Sequence, residues 1–111
     1  MSTVTTHVLD TARGRPASGV AVRLERVVNG GSEAVATAAT DADGRVRNLA
    51  ADDLAAGTYR LVFGTADYFA GIGDETFYPQ VVVEFSLADT GQHYHVPLLL
   101  SPYGYSTYRG S

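Results

Sequence analysis

A chain of 111 residues with 45% hydrophobic and 18% charged side chains is expected to be one globular domain, residues 1–111, burying roughly two-thirds of its unfolded surface. A net charge of −4 without a basic cluster argues against nucleic acid as a partner; the absence of Cys excludes disulfides, thiolate nucleophiles and Cys-ligated zinc, and all eight basic residues are Arg, which excludes lysine Schiff-base chemistry. The opening MSTVTTHVLD has neither a basic n-region nor an apolar run of membrane-spanning length, so a cytoplasmic location and no membrane partner are expected.

Strand alternation begins at once. Over residues 4–9, Val4, Thr6 and Val8 fall on one side and Thr5, His7 and Leu9 on the other. Residues 10–17 read as a loop because of Gly14 and Pro16. A second strand is expected over 20–28, with Val20, Val22, Leu24 and Val27 inward and Arg23 and Glu25 outward, followed by the turn signal Asn29-Gly30-Gly31. Residues 33–40 make a third strand, weakened by its alanines. Asp41-Ala42-Asp43-Gly44-Arg45 is a turn in which Asp supplies local hydrogen bonds and Gly44 takes positive φ. Residues 46–49 suit a short fourth strand, and 50–57 a surface loop or a single helical turn.

Residues 58–64 alternate cleanly as the fifth strand. The one helix candidate is 65–73, about two turns long, with Thr65 as its cap and Phe69 and Ile72 on one face. Residues 77–79 then re-enter the sheet, 80–87 form the sixth strand, and 93–100 and 104–109 the last two. Seven or eight short strands with Gly/Pro/Asn punctuation and at most one helix describe an all-β sandwich.

The chemistry concentrates toward the last nineteen residues, HYHVPLLLSPYGYSTYRGS. Alternation puts His93, His95, Pro97 and Leu99 on one face, against Tyr94, Val96, Leu98 and Leu100 on the other. Gly104, Ser106 and Tyr108 share a face, opposite Tyr103, Tyr105, Thr107 and Arg109. Three of the seven tyrosines fall in the last nine residues, so this end is expected to be tied down rather than frayed. The candidate side chains are His7, His93, His95, Arg45, Arg47, Tyr108 and Arg109, with the carboxylate of Ser111. If the first strand and the last two share a sheet, His7, His95, Ser106 and Tyr108 converge.

Four readings of that set stand side by side. A histidine pair with a guanidinium suits metal-free hydrolysis, with neutral imidazole as base and arginine steadying the anion. His93, His95 and His7 also have the makings of three zinc ligands with an open fourth position. Leu9, Pro97, Leu99 and Tyr108 suit a carrier pocket without chemistry. The fourth reading is of ordinary strand histidines and a solvated terminal arginine. Asp41, Asp43 and Gly44 lack the downstream acidic ligand of a calcium loop and read as a plain turn.

The segments Thr6-His7-Val8-Leu9-Asp10, Gly14-x-Pro16-Ala17 and Asp43-Gly44-Arg45, and above all the stretch from His93 to the final Tyr108-Arg109-Gly110-Ser111, resemble the 5-hydroxyisourate hydrolases, the transthyretin-related enzymes of the urate pathway. The resemblance covers the whole chain, and the Tyr-Arg-Gly-Ser ending is its most specific part. It implies a prealbumin/transthyretin-like sandwich of two four-stranded sheets with one short helix after the fifth strand. It also implies a homotetramer, a dimer of dimers, with active sites at the dimer–dimer interface built from more than one subunit. The implied catalytic set is His7, Arg45 and His95, with Tyr108, Arg109, Gly110 and Ser111 closing the pocket on the substrate. The Asp-Gly-Arg match selects Arg45 over Arg47, and His93 is not a principal catalytic residue on this match. The implied reaction is hydrolytic opening of 5-hydroxyisourate, with no metal or organic cofactor. The alternative is a transthyretin-like carrier.

Overall fold

The computed structural model describes residues 3–49, 54–88 and 91–111. Within them the elements run β1 (Thr3–Asp10), β2 (Arg15–Pro16), β3 (Ala21–Val28), β4 (Gly31–Ala39), β5 (Arg45–Val46), β6 (Gly57–Phe63), α1 (Thr65–Gly71), β7 (Val81–Leu87), β8 (His93–Ser101) and β9 (Gly104–Thr107). One sheet has the order β2-β1-β8-β9, with β5 also paired to β1; the other has the order β4-β3-β6-β7. Because β8 occupies one edge of β1 along its whole length, β2 and β5 share the other edge, and both sheets are four strands wide.

The alternation of β1 explains how the layers close. Val4, Thr6, Val8 and Asp10 are buried, whereas Thr3, Thr5, His7 and Leu9 are half-buried on the outer face. In β8, Tyr94, Val96, Leu98 and Leu100 join that core. From the facing sheet come Val22, Leu24, Tyr59, Leu61, Phe63, Val83 and Leu87. Thr6 crosses this apolar layer without penalty because its hydroxyl donates to the Val96 carbonyl at 2.6 Å. Asp10, wholly buried, accepts from the Tyr68 hydroxyl at 2.7 Å and from the backbone N–H of Arg13 at 3.0 Å.

Several details depart from the sequence reading for local reasons. The 10–17 loop contains β2, which hydrogen-bonds to the end of β1 and which two residues cannot announce by alternation. The fourth strand is confined to Arg45–Val46, and β3 carries a register shift between Leu24 and Glu25, so Val27 is only half-buried. Residues 50–53 of the expected 50–57 loop or turn lie outside the described residues; 54–56 are not helical. Helix α1 starts at Thr65, with Gly64 in the cap position and no side-chain cap; the Thr65 hydroxyl instead donates to the Tyr78 carbonyl at 2.6 Å. Residues 77–79 do not re-enter a sheet, and Phe77 donates its N–H to Pro102 at the β8–β9 turn.

The last strand also stops early. β9 pairs with β8 from Ser101↔Gly104 to Leu98↔Thr107, and the pairing then lapses until a single bridge, His95↔Gly110, in the same register. The cause is Pro97, which offers no N–H to the chain beside it. The Thr107 hydroxyl donates to the Pro97 carbonyl at 2.7 Å, and Gly110 donates its N–H to His95 at 2.8 Å.

Candidate active site

The outer face of the β1–β8 sheet carries the candidate residues, and register decides which of them meet. The two strands run parallel with Thr5 opposite His95 and His7 opposite Pro97. On its other side His7 stands opposite Arg45 of β5. Paired residues point to the same face. His7 and Arg45 are therefore direct neighbours, and His95 lies one strand across and two residues back, about 8 Å away by strand rise and spacing.

A pocket of about 290 Å³ opens on this face, lined by Thr5, Thr6, Arg45, Val46, Arg47, His93, His95 and Ser111. Arg45 is held there by its backbone. The Asp41 carboxylate accepts the N–H groups of Asp43 (2.9 Å) and Arg45 (3.0 Å), and Asp41 donates its own N–H to the Arg45 carbonyl at 2.9 Å. The Arg45 N–H bond is the main reason the Asp41 carboxyl lies below its ordinary value. The carbonyl of Gly44, a residue at φ +74°, accepts the N–H of Val8 at 2.7 Å and so pins the turn onto β1. The turn thus positions Arg45 against β1.

The same turn separates the two arginines. Arg47 lies 3.8 Å from Asp41 and 3.6 Å from Asp43, whereas among the described residues the Arg45 guanidinium has no carboxylate partner. Its charge is available to a bound anion. His95 is half-buried, and burial first, then the charges of Arg45, His93 and His7, hold its imidazole below the ordinary value. Among the described residues the site therefore offers a neutral base beside a guanidinium that no carboxylate ion-pairs.

The C-terminal residues divide. Gly110 packs against His95 so closely that a Cβ there would sit 2.6 Å from His95 Cδ2, and Ser111 lines the pocket. Tyr108 and Arg109 lie instead beside a second cavity of about 120 Å³ with Val83, Phe85, Tyr94 and Val96. Arg109 donates to Gln92 at 3.1 Å and stacks its guanidinium 4.6 Å from the Tyr94 ring centre. Ser106 pairs with Leu99, four residues along β8 from His95, so of the expected convergent group only His95 lines the pocket, with His7 on the same sheet face beside Arg45 but outside the lining. Among the described residues His7, His93 and His95 do not gather as a metal-ligand cluster; His93 and His95 turn their ring nitrogens to threonine hydroxyls instead. Thr5, Thr6 and Val46 are pocket residues that the sequence did not mark; the place of Thr5 depends on parallel pairing with a strand 90 residues away.

A model of the HIUase/Transthyretin family matches residues 4–110. The chain belongs to that family. The 5-hydroxyisourate hydrolase of Caulobacter vibrioides is 51% identical over the full length of both chains. The 5-hydroxyisourate hydrolase 2 of Rhizobium meliloti is 50% identical, covering 97% of this chain and 95% of its own. Among solved structures, Klebsiella pneumoniae 5-hydroxyisourate hydrolase superposes with a TM-score of 0.88 at 41% identity over 98% of this chain and 99% of the other. Transthyretin from Sparus aurata gives 0.90 at 34% identity, over 96% and 95%. Backbone shape alone does not separate hydrolase from transthyretin. The higher identity to the hydrolases is what does.

Proposed function

We propose that this chain opens the six-membered ring of 5-hydroxyisourate at an amide bond, with water as nucleophile, giving 2-oxo-4-hydroxy-4-carboxy-5-ureidoimidazoline. The observation that carries the reading is the pairing of an Arg45 guanidinium, without a carboxylate partner among the described residues, with a neutral His95 in one pocket, in a chain half identical to 5-hydroxyisourate hydrolases along its whole length. The substrate is flat, polar and electron-poor, and its ring carbonyl is activated, so a weak base acting on water is sufficient. His95 takes the proton from the attacking water, while Arg45 and His7 hold the substrate oxygens and the charge that develops on the carbonyl. Neither a metal nor an organic cofactor enters this scheme.

In the same reading residues 1–111 act as a single transthyretin-like domain in the cytoplasm; among the described residues no helix is long and apolar enough to cross a membrane. Four copies assemble as a dimer of dimers. Gly110 and Ser111 close the pocket from beside His95, and Tyr108 and Arg109 reach substrate only across a subunit boundary.

The test is an absorbance assay in which urate oxidase generates 5-hydroxyisourate from urate and the protein is then added. Acceleration of its decay is expected, in proportion to protein concentration. Saturable binding of an aromatic anion with no acceleration would favour a carrier and overturn the hydrolase reading.

A further inference from the structure

His93 and His95 are two residues apart on β8 and so share a face. Their rings are 14° from parallel with centroids 6.4 Å apart, too far for a direct bond between them. A threonine oxygen stands between. Thr5 Oγ1 lies 2.7 Å from His95 Nδ1 and 3.0 Å from His93 Nε2, and Thr3 Oγ1 lies 2.6 Å from His93 Nδ1. The parallel register is what makes this possible, since it sets Thr3 opposite His93 and Thr5 opposite His95. With Nδ1 so engaged, Nε2 is the His95 nitrogen left for a molecule in the pocket.

A hydroxyl has one proton to give, so Thr5 donates to one imidazole and accepts from the other. The row Thr3–His93–Thr5–His95 therefore has two polarities. In one, Thr5 donates to His95 Nδ1, and the pocket nitrogen Nε2 carries a hydrogen. In the other, His95 Nδ1–H donates to Thr5, Thr5 donates to His93 Nε2, His93 Nδ1–H donates to Thr3, and His95 Nε2 is a bare base.

We propose that Thr5 is a positioning residue that sets the His95 tautomer and, with the exposed His93, relays protons between the pocket and solvent. The inference rests on the hydrolytic reading above. Starting from the second polarity, His95 Nε2 takes the proton of the attacking water. Its Nδ1 proton passes to Thr5 Oγ1 as the hydroxyl's own proton passes to His93 Nε2. His95 is again neutral, His93 is the imidazolium, and buffer removes the extra proton at the surface. Run backwards, the same row returns a proton for the departing ring nitrogen. Burial, then the charges of Arg45, His93 and His7, lower the proton affinity of His95 and so favour passing its proton on, and the receiving ring, His93, is exposed to solvent at the pocket.

The experiment compares Thr5→Val, Thr5→Ser and His93→Ala with the unaltered protein. Steady-state decay of 5-hydroxyisourate is followed at several buffer concentrations, and histidine ring tautomers are read by nitrogen NMR of the substrate-free protein. Thr5→Val is expected to lower kcat about 10- to 100-fold, the range for losing a partner that orients a working histidine. KM should stay within about twofold, as for a group that acts on the chemical step, and the His95 tautomer signal should change. Thr5→Ser should restore both. His93→Ala should be slow in dilute buffer and recover when imidazole is added, whereas Thr5→Val should not recover. An unchanged tautomer and kcat in Thr5→Val, a loss that serine does not restore, or a His93→Ala rate indifferent to buffer would each overturn the relay. The tautomer measurement needs no substrate, so the two failures are told apart: an unaltered protein that hydrolyses nothing would defeat the hydrolase reading and the relay with it, whereas an unchanged tautomer in Thr5→Val of an active protein would defeat the positioning role of Thr5 alone.

Discussion

Protonating His95 opposes folding and, on the proposed mechanism, catalysis as well. Burial, reinforced by Arg45, lowers its proton affinity in the folded chain, so between that lowered value and about 6.5 the unfolded chain binds more protons. The stability His95 contributes is therefore complete above about 6.5 and is lost as pH falls through the depressed folded value. The acid limb of kcat/KM should follow the same titration and lie below about 6.5. Replacing Arg45 by Gln removes one of the lowering charges and leaves the burial, so an NMR titration should show the His95 midpoint moving up part of the way; no movement, or a fall, would deny the coupling. His95→Asn should lower turnover by about 10²–10⁴-fold if the ring transfers the proton, and full activity in that variant would remove it from the mechanism. The His-x-His pair and the two nearby arginines were visible in the sequence. What spacing alone left open was which arginine is free to bind; the resemblance selected Arg45, and the ion pairs of Arg47 with Asp41 and Asp43 are a physical reason in its favour.

Among the elements, the turn before β5 does most to place the site. A Cβ on Gly44 would lie 2.4 Å from the Val8 carbonyl oxygen, a backbone atom of the strand that carries His7, at a φ of +74°. Gly44→Ala should cost about 2–5 kcal/mol, from left-handed strain of about 1–2 and overpacking of about 1–3, and should lower activity as Arg45 is displaced. Gly19→Ala is the control: φ is +80° but nothing lies within 4 Å of the added carbon, so only the strain of about 1–2 kcal/mol applies. Urea unfolding of both variants checks the difference, and equal costs would mean the close approach to Val8 is relieved at no expense. Alternation of period two located the long strands to within about two residues, because one face of each meets the core. It was blind to β2, which is too short to alternate. It also ran the last strand to Arg109, since the break comes from Pro97 on the neighbouring strand and not from anything in the 104–109 segment.

On the scale of the molecule, one sandwich serves two kinds of protein, with TM-scores of 0.88 to a hydrolase and 0.90 to a transthyretin. Function on such a scaffold is decided by side chains on one sheet face rather than by the sheets. That face and the adjoining edge are open in the single chain: Tyr103, Tyr105 and Tyr108 are 68%, 42% and 58% exposed. On the proposed assembly this exposed aromatic surface is a contact with another copy, and identical copies close with point symmetry. It also accounts for the placement of Tyr108 and Arg109 away from the pocket of their own chain. If four 11.7 kDa chains share their sites, the scattering mass should be that of a tetramer, and activity per chain should fall on dilution in step with dissociation. Tyr108→Arg should move both curves together toward higher protein concentration while leaving the thermal midpoint of the separated chain unchanged. Full activity from a monomer at the lowest concentration would show that one chain's His7, Arg45 and His95 suffice, and that the exposed tyrosines serve something other than the reaction.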